Sequence, residues 1–247
     1  MNFESGRSLP EIPDLAALYR RGLTFRHGQV IMIAGRSGTQ KSGFALWLAA
    51  NWNLPTLYFS ADMSAFTASS RVASLASGKT LAEIEQAMEM GGALRLEVEE
   101  ALSVYDELQF SFGSPIRWSQ VDEELEAFVE FNDAYPQVIV FDNLMDFDGA
   151  ESDYAGQMET MSMITELSRA TGAVCLILHH ASDKSWEAKA DPWSPPSRDQ
   201  VKGGLSEKPE VSLSVALDPH TKDYRVAIIK QRMGWNDPTA NTSDVLT

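Results

Sequence analysis

The sequence predicts an α/β fold in which a mostly parallel central sheet is flanked by helices and is followed by a C-terminal β-hairpin. Short apolar segments, which suit strands buried on both faces of a parallel sheet, alternate with longer segments of helical spacing. A glycine-containing turn joins the first of these strands to the first long helix. A chain of 247 residues, 44% apolar and 22% charged, is long enough to bury a large core.

The first half of the chain supplies three strands and three helices. Residues 29–34 (QVIMIA) are almost wholly apolar and predict the first strand. From Lys41 the apolar residues change to helical spacing, as far as Leu54 and Pro55. Glycines then separate the later elements, which are a strand at 56–60 (TLYFS), helices at 63–77 and 81–90, and a strand at 108–112 (LQFSF).

The second half continues the alternation of helix and strand. A helix at 119–135, ended by Pro136, precedes an apolar strand at 137–141 (QVIVF). A helix at 154–171 leads to a further apolar strand at 173–178 (AVCLIL). Strands that alternate with helices indicate right-handed crossover units and hence parallel pairing.

The C-terminal third differs in composition. Residues 179–210 are rich in Ser, Pro, Gly, Lys and Asp, and their prolines rule out a continuous helix, so we expect a long mobile loop. Two strands at 211–217 and 224–230 flank the turn DPHTKD and predict a hairpin. We therefore divide the chain into an arm or linker at 1–27, a core at 28–235 and a loose tail at 236–247.

Charge and cysteine content limit the classes of function. The net charge of −15 disfavours nonspecific attachment to DNA or to anionic membranes, but residues 181–232 hold nine of the 20 basic side chains against eight of the 35 acidic ones. No apolar run is long enough for a membrane span, and the N-terminus has no signal pattern, so we expect a cytoplasmic protein. Cys175, the single cysteine, lies in an apolar run and is expected to be buried and unreactive.

The turn after the first strand has the context of a phosphate-binding loop, because it follows a buried strand and opens a helix. In such a loop, successive backbone N–H groups face one anion, the lysine reaches the β- and γ-phosphates, and the hydroxyl ligates Mg²⁺. The predicted loop residues are Gly35, Arg36, Ser37, Gly38, Thr39, Gln40, Lys41 and Ser42.

Gln40 departs from the usual G-x-x-x-x-G-K-[ST] pattern, since it stands where the second glycine belongs. Its backbone must therefore take an ordinary dihedral angle, or its side chain must project away from the nucleotide. A strand-to-helix turn that only looks like a phosphate loop is the alternative.

Two further motifs follow in order, namely YFSADMS at 58–64 and VIVFDNLMDF at 138–147. With them the chain resembles, over about residues 20–240, the ATPase core of DnaB-like replicative helicases in the RecA superfamily. The resemblance implies a RecA-like core, ATP and Mg²⁺ as cofactors, a hexamer or filament, single-stranded DNA as a partner, and a role beside replication or recombination proteins. We expect no counterpart of that family's separate N-terminal helical domain in the 20-odd residues before the core.

The resemblance assigns roles to two carboxylates. Asp142 ends an apolar strand, where the family holds the magnesium ion; a carboxylate that caps the next turn is the alternative. Asp62 stands where the family's motif places a glutamate that activates the attacking water. An aspartate is one methylene shorter and could act directly or through a second water, or it could simply cap the following helix.

The resemblance also places a sensor and two finger residues. His180 matches the polar residue that senses the γ-phosphate, whereas His179 is turned the opposite way by strand alternation. Lys230 and Arg232 match the K-x-R motif whose basic residues enter the neighbouring subunit's site. A pair of cations that only contacts surface acids is the alternative.

The segment 181–205 corresponds to the family's pore loops. Within it Arg198, Lys202, Gly203 and Gly204 match the region that contacts the DNA backbone, because a charge and adaptable N–H groups suit a phosphate. A solvated flexible loop is almost as compatible with this composition. Trp186 and Trp193 could stack on bases, although loop aromatics more often pack onto the fold.

Three functions remain open. The first is an ATP-hydrolysing, DNA-acting motor, and the second is an ATP-switched recombination or loading factor that hydrolyses poorly. The third is a structure-specific nuclease, since an acidic run after the strand ending at Asp142 could hold metals. That run consists of Asp142, Asp146, Asp148, Glu151 and Asp153.

Overall fold

The computed structural model describes residues 6–150, 154–182, 191 and 193–246. Its central feature is one eight-stranded sheet. The strands are β1 (Val30–Gly35), β2 (Thr56–Ser60), β3 (Leu108–Phe112), β4 (Val138–Asp142), β5 (Val174–His180), β6 (Val211–Leu217), β7 (Tyr224–Gln231) and β8 (Asp244–Leu246). The helices are α1 (Ala16–Arg20), α2 (Lys41–Trp52), α3 (Ala65–Ser77), α4 (Leu81–Met90), α5 (Ala93–Leu102), α6 (Trp118–Asn132) and α7 (Tyr154–Thr171).

The strand order is β3-β2-β4-β5-β1-β6-β7-β8. All neighbours from β3 to β6 pair in parallel, whereas β6–β7 and β7–β8 are antiparallel. The mostly parallel sheet and the C-terminal hairpin predicted from the sequence are therefore confirmed. The strand β1 lies between β5 and β6, so the chain leaves the centre of the sheet through the predicted phosphate loop.

The two faces of the sheet form two apolar cores. Along β1, Ile31 and Ile33 face a core shared with α2, while Val30, Met32 and Ala34 face a core shared with α6 and α7. Fully burying a side chain of this size contributes about 1.5–3 kcal/mol, so both layers hold the sheet firmly. β1 is thus fixed on both faces just before the phosphate loop.

Both chain ends that the sequence separates from the core pack against it. Leu15 and Leu18 are buried in the core beside α2. The predicted loose tail contains the strand β8, which pairs with β7, and Ala240 is buried. Asp244 also forms an ion pair of 3.0 Å with Arg21. The prediction of a loose tail is therefore wrong for the described residues up to 246, although the division into domains stays a prediction.

Other elements differ from the predictions. The helix α5 was missed, and α3 begins at Ala65, two residues later than predicted. The predicted mobile loop is packed in its described part beyond 193: Val201 and Leu205 are buried, and 3-10 turns cover Arg198–Gln200 and Lys202–Glu207. Apolar side chains at these two positions hold the segment against the core.

Cys175 lies in the middle of β5 and is completely buried. Burial raises the pKa of its thiol to about 12, as expected for a cysteine that serves as a small apolar side chain. Among the residues described, the structure has no helix with the length and apolar character needed to cross a membrane.

Candidate nucleotide site

The register of the sheet gathers the predicted site residues at one edge. Gly35 pairs with His180 across β1 and β5, and Ser60 pairs with Asp142 across β2 and β4. These four residues end their strands, so the segments that follow open on the same side of the sheet. In open α/β sheets this carboxyl edge is where ligands bind.

A cleft lies at this edge, and we call it the phosphate cleft. The cleft is lined by residues at or after the ends of β1, β2, β4 and β5, together with an arginine of α3. They are Ser37, Gly38, Gln40, Lys41, Ser42, Asp62, Arg71, Asp142, Asn143 and His180.

The phosphate loop is tightly built at its first glycine. A Cβ atom on Gly35 would lie 2.6 Å from Thr39 Oγ1 and 3.0 Å from the carbonyl oxygen of Val215. Any larger residue would therefore push the loop off β6. Lys41, which is nearly buried, donates from Nζ to the carbonyl oxygens of Gly35 (3.1 Å) and Arg36 (3.0 Å). The ammonium group is thus held by the backbone carbonyl oxygens of the loop.

Gln40 does not take an ordinary dihedral angle: its φ of 59° and ψ of 34° are left-handed. Its carbonyl accepts the first helical bond of α2, from Phe44 N at 2.9 Å. The side chain turns toward Gly43, where an added Cβ would lie 3.3 Å from Gln40 Oε1. The left-handed backbone costs about 1–2 kcal/mol for a residue other than glycine. The small residue at 43 leaves room for the glutamine side chain.

Asp142 is buried at the back of the cleft, and its burial and four neighbours affect the pKa of its carboxyl. Burial, as the largest effect, raises the pKa. Hydrogen bonds from Ser42 and Tyr58 lower it, the charge of Asp62 raises it, and the charge of Lys41 lowers it. The Tyr58 hydroxyl donates to Asp142 Oδ2 at 2.9 Å. A serine hydroxyl and an aspartate carboxylate that lie side by side provide two oxygen ligands of the kind that suits Mg²⁺. Ser42 and Asp142 would therefore hold the ion beside the triphosphate.

Asp62 does not cap the following helix. Ser64 does so instead, because its hydroxyl accepts from Thr67 N at 3.2 Å. The alternative of a purely capping role is therefore wrong. Asp62 is exposed and lies in the phosphate cleft with Lys41 and Asp142.

His180 lies at the end of β5 and faces the cleft beside Asn143, with 3.5 Å between its Nε2 and Asn143 Nδ2. His179 points the other way, as predicted, and is completely buried. Its Nε2 contacts the carbonyl oxygen of Lys202 at 2.9 Å. The end of β5 is thus joined directly to the predicted DNA-contacting segment.

The acidic run has local structural partners. Asp146 Oδ2 accepts from Asn143 N at 3.1 Å, which closes the 3-10 turn Leu144–Asp146. Asp148 is exposed, and Glu151 and Asp153 lie outside the described residues. Within the described ranges, no group of three or more His, Cys, Asp or Glu side chains is arranged to hold a metal ion.

The predicted DNA-contacting residues lie on the surface next to the cleft. Lys202, Gly203 and Gly204 are exposed, and both glycines have positive φ (69° and 62°). Lys202 also lines an adjoining cleft that contains Asp62 and His180. Arg198 forms an ion pair with Glu207 at 3.3 Å.

The structure describes one of the two tryptophans that were predicted to stack on bases. Trp193 packs edge-on against His220, with 5.9 Å between ring centroids, so it contacts the fold. Trp186 lies outside the described residues.

Lys230 and Arg232 lie at the opposite end of the sheet from the phosphate cleft. Gln231 pairs with Val211, and Val211 pairs with Ile31 at the start of β1. The four residues from Ile31 to Gly35 span about 13 Å of strand. The predicted finger residues are therefore not brought to their own chain's cleft.

Both cations are engaged within the chain. Lys230 Nζ donates to the carbonyl oxygens of Glu207 and of Pro209 (2.6 Å for the latter). Burial, with the charges of Arg232 and Arg198, lowers the pKa of Lys230 to about 8. Arg232 lies 3.7 Å from the carboxylate of Glu210.

Sequence reasoning missed two cleft residues, Arg71 and Asn143, and also Tyr58, which is buried behind the cleft and bonds to Asp142. Arg71 is the only basic residue of α3, and its Nη1 contacts Met63 Sδ at 3.3 Å, which holds it at the cleft. Its position one residue before the buried Val72 could have indicated a side chain at the edge of the core. In the sequence, Tyr58 is one of several mostly apolar residues of a buried strand. No sequence pattern therefore indicates its hydrogen bond to Asp142.

These features define a class: the molecule is a P-loop protein of RecA-like ATPase fold. The chain belongs to the AAA domain family, whose sequence model matches residues 2–186. It is 31% identical over 245 residues to the Gene 65 protein of Mycobacterium phage L5, covering 95% of this chain and 87% of that protein. It is 28% identical over 223 residues to the Gene 65 protein of Mycobacterium phage D29, covering 86% and 92% of the two chains.

Solved structures show the same fold. One of them, an isolated ATPase domain, superposes with a TM-score of 0.78 at 14% identity, covering 92% of this chain and 86% of that one. A DnaB-like replicative helicase, described with its interactions with primase, gives a TM-score of 0.77 at 15% identity. That match covers 92% of this chain and 58% of the helicase chain. The DnaB-like fold inferred from the sequence is confirmed.

Proposed function

We propose that this chain binds and hydrolyses ATP with Mg²⁺ as one subunit of a DNA-acting, helicase-like motor. The observation that carries the proposal is the convergence of Lys41, Ser42, Asp142, Asp62 and His180 in one cleft at the carboxyl edge of the sheet. A lysine, an ion-holding pair and a free carboxylate are the parts that phosphoryl transfer from ATP requires. Family membership and the fold shared with the solved ATPase domain support the same chemistry.

In the proposed reaction, the carboxylate of Asp62 accepts a proton from a water molecule. The water oxygen forms a bond to the γ-phosphorus while the bond from that phosphorus to the β–γ bridging oxygen breaks, and ADP leaves. Lys41 and the loop N–H groups stabilise the charge that develops on the phosphate oxygens. His180 would contact the γ-phosphate from the end of β5. Mg²⁺ held by Ser42 and Asp142 would supply further positive charge.

The position of Lys230 and Arg232 supports action between subunits. A contact between two unlike faces of a subunit generates a ring or a filament. The phosphate cleft and the basic pair lie at opposite ends of the sheet, which fits such a head-to-tail contact. We propose that Arg232, with Lys230, enters the neighbouring cleft after it leaves its partners at Glu210 and Lys208.

Single-stranded DNA is the proposed substrate of the motor. Arg198, Lys202, Gly203 and Gly204 offer cations and exposed backbone next to the cleft. The hydrogen bond between His179 and the Lys202 carbonyl connects the end of β5 that borders the cleft directly to this segment. One structural relative is a replicative helicase described with primase, so a replication or recombination protein is the proposed partner, in the cytoplasm.

Mixing of two inactive variants tests the site and the assembly together. Lys41→Ala is expected to lower ATP turnover at least about 100-fold, and Arg232→Ala about 1000-fold. In a mixed assembly, the intact cleft of an Arg232→Ala subunit can meet the intact Arg232 of a Lys41→Ala subunit. Turnover should therefore reappear on mixing. Arg95→Ala, which removes an exposed cation paired with Glu99, is the matched control and should leave turnover unchanged.

Two results would contradict the proposal. If wild-type protein shows no magnesium-dependent hydrolysis with single-stranded DNA present, the motor is excluded. If mixing restores nothing while each variant alone is inactive, Arg232 does not act between subunits.

A switch that binds ATP but turns it over poorly is the second candidate. Gln40 in a left-handed conformation and the short, exposed side chain of Asp62 favour it. Tight ATP binding with negligible turnover in the presence of DNA would select the switch. The nuclease alternative gains no support, because Asp146 is used in a turn and Asp148 is exposed.

A further inference from the structure

We infer that Glu207 is a positioning residue that keeps Arg198 from the DNA strand until Lys230 enters a neighbouring subunit. This inference rests on the proposed function, in which Arg198 contacts DNA and Lys230 acts between subunits. The carboxylate of Glu207 pairs with the Arg198 guanidinium at 3.3 Å, and its carbonyl oxygen accepts a hydrogen bond from Lys230 Nζ. One residue thus touches both a proposed DNA contact and a proposed finger.

The backbone around Glu207 is bonded to both finger residues. Lys230 Nζ also donates to the Pro209 carbonyl oxygen at 2.6 Å, and Arg232 Nη2 donates to the Lys208 carbonyl oxygen at 3.4 Å. Three successive carbonyl groups therefore accept from these two side chains. When the side chains leave for a neighbouring cleft, all three bonds are lost, and the backbone that positions the Glu207 carboxylate is released.

The charges around Glu207 form a basic cluster with acids among them. Burial, followed by the charges of Arg232 and Arg198, lowers the pKa of Lys230 to about 8, so the three cations are near enough to repel one another. The carboxylates of Glu210 and Glu207 raise the same pKa. Because acids already offset part of the positive charge, a DNA phosphate meets a weaker field while Glu207 stays in place.

The ion pair can open without disturbing the core. The side chain of Glu207 is 77% exposed and that of Arg198 is 32% exposed. Both residues line a surface cleft of about 600 Å³ that also contains Ser197, Thr239 and Asn241, so a phosphate group has room there. The guanidinium group binds carboxylate and phosphate with the same planar set of N–H groups. The Glu207 carboxylate and a DNA phosphate therefore compete for Arg198.

Binding of a labelled oligothymidine strand, followed by fluorescence anisotropy without nucleotide and at low ionic strength, tests this competition. Glu207→Gln should tighten binding about threefold, because the strand no longer has to displace an exposed ion pair. Asp199→Asn is the matched control, since it removes one negative charge from an exposed residue of the same cleft, whose carboxylate accepts from Ser197 Oγ. Its affinity should stay within about 1.5-fold of the wild type.

A double-mutant cycle separates the ion pair from the general effect of charge. In an Arg198→Ala background, Glu207→Gln should leave the affinity for the strand unchanged, because the cation that it frees is missing. An equal gain in the two backgrounds, or no gain in the wild-type background, would overturn the competition at Arg198.

The link to Lys230 is tested by adding Mg²⁺ and a non-hydrolysable ATP analogue. In the wild type the analogue should draw Lys230 into the neighbouring cleft and tighten binding of the strand. In Glu207→Gln this gain should be about threefold smaller, because Arg198 is already free. Equal gains in the two proteins would overturn the release by Lys230. If wild-type protein binds neither strand nor analogue, the proposed function fails; if it binds both and Glu207→Gln changes nothing, only the inference fails.

Discussion

The hydroxyl of Tyr58 on β2 donates a 2.9 Å hydrogen bond to the carboxylate of Asp142 on the neighbouring strand β4, and both residues are buried. Tyr58 pairs with Val140 in the sheet, so its side chain reaches two residues along β4. Burial alone would favour a neutral Asp142. The tyrosine opposes that effect and helps to keep a charged carboxylate at the back of the cleft.

Tyr58→Phe should therefore move the acidic limb of the pH–activity profile to higher pH. The hydrogen bond from Tyr58 lowers the pKa of Asp142, so its loss raises that pKa, and Mg²⁺ binding needs the ionised form. A hydrogen bond to a charged group is worth about 1.5–3 kcal/mol, so a shift of about one to two pH units is expected. ATP turnover measured from pH 5 to 9 gives the profile.

Tyr19→Phe is the matched control for this experiment. It also removes a single hydroxyl, which accepts a 3.0 Å bond from Ile12 N in the N-terminal segment. Its profile should coincide with that of the wild type. Identical acidic limbs for Tyr58→Phe and the wild type would contradict the role of Tyr58.

The Gln40→Gly variant should be more stable than the Gln40→Ala variant, by about 1 kcal/mol in the free energy of unfolding. Position 40 has a φ of 59°, which glycine adopts freely and alanine does not. Urea unfolding of the wild type and the two variants measures the difference. If Gln40→Ala is the more stable of the two, position 40 does not have a left-handed backbone in solution.

His179 should make the folded state less stable as the pH falls. Burial is the main cause that lowers the pKa of this imidazole to about 4, while its bond to the Lys202 carbonyl opposes the shift. The unfolded chain takes up a proton near pH 6.5, which the folded chain accepts only near pH 4. Stability is therefore complete above about pH 6.5 and falls toward pH 4. Because one pKa unit is worth about 1.4 kcal/mol, the loss is on the order of 3 kcal/mol.

His179→Gln should flatten this dependence, because glutamine has no proton to gain in this range. The measurement is the free energy of unfolding in urea at several pH values between 7 and 4. His220→Gln, at an exposed position in the hairpin turn, should keep the wild-type slope. A His179→Gln slope equal to that of the wild type would assign the acid sensitivity to other groups.

Arg36→Ala should loosen the segment that carries Arg198. Arg36, in the phosphate loop, donates from Nη1 to the Ser194 carbonyl oxygen at 2.9 Å. A hydrogen bond of this kind is worth about 1 kcal/mol, so amide exchange within 193–201 should speed up about fivefold. Hydrogen exchange read by mass spectrometry reports it. Arg26→Ala, which removes a similar bond to the Gly6 carbonyl, should leave 193–201 unchanged; equal protection in all three proteins would exclude the link.

Periodicity was sufficient for the elements that are buried on both sides. The apolar segments at β1, β4 and β5 have no other stable position than the middle of a parallel sheet, so their place followed from the sequence. The strand β8 was missed because Asp244–Leu246 is short and partly polar, and only its pairing with β7 makes it a strand. The helix α5 was missed because exposed apolar side chains such as Leu96 obscure its short apolar stripe of Leu94, Val98 and Leu102.

The candidate site was predictable only where a motif fixes the position of a residue. Asp142 ends β4, while Lys41 and Ser42 begin the helix that follows β1, and parallel register brings these strand ends to one edge. Arg71 reaches the cleft through the orientation of α3, and Tyr58 reaches Asp142 behind the cleft through a diagonal contact in the sheet. Neither contact is encoded in local spacing. The sequence identified Asp62 and Gln40 as departures from the family's pattern. Whether the fold tolerates each departure depends on neighbouring residues such as Ser64 and Gly43.

The position of Cys175 makes the chain a convenient scaffold for spectroscopy. A thiol that is fully buried, with a pKa of about 12, offers no thiolate to maleimide or spin-label reagents at neutral pH. Two new cysteines placed at exposed residues, one of them for example in the turn before β7, would take up the label, so the distance between them could be measured without first removing the native thiol.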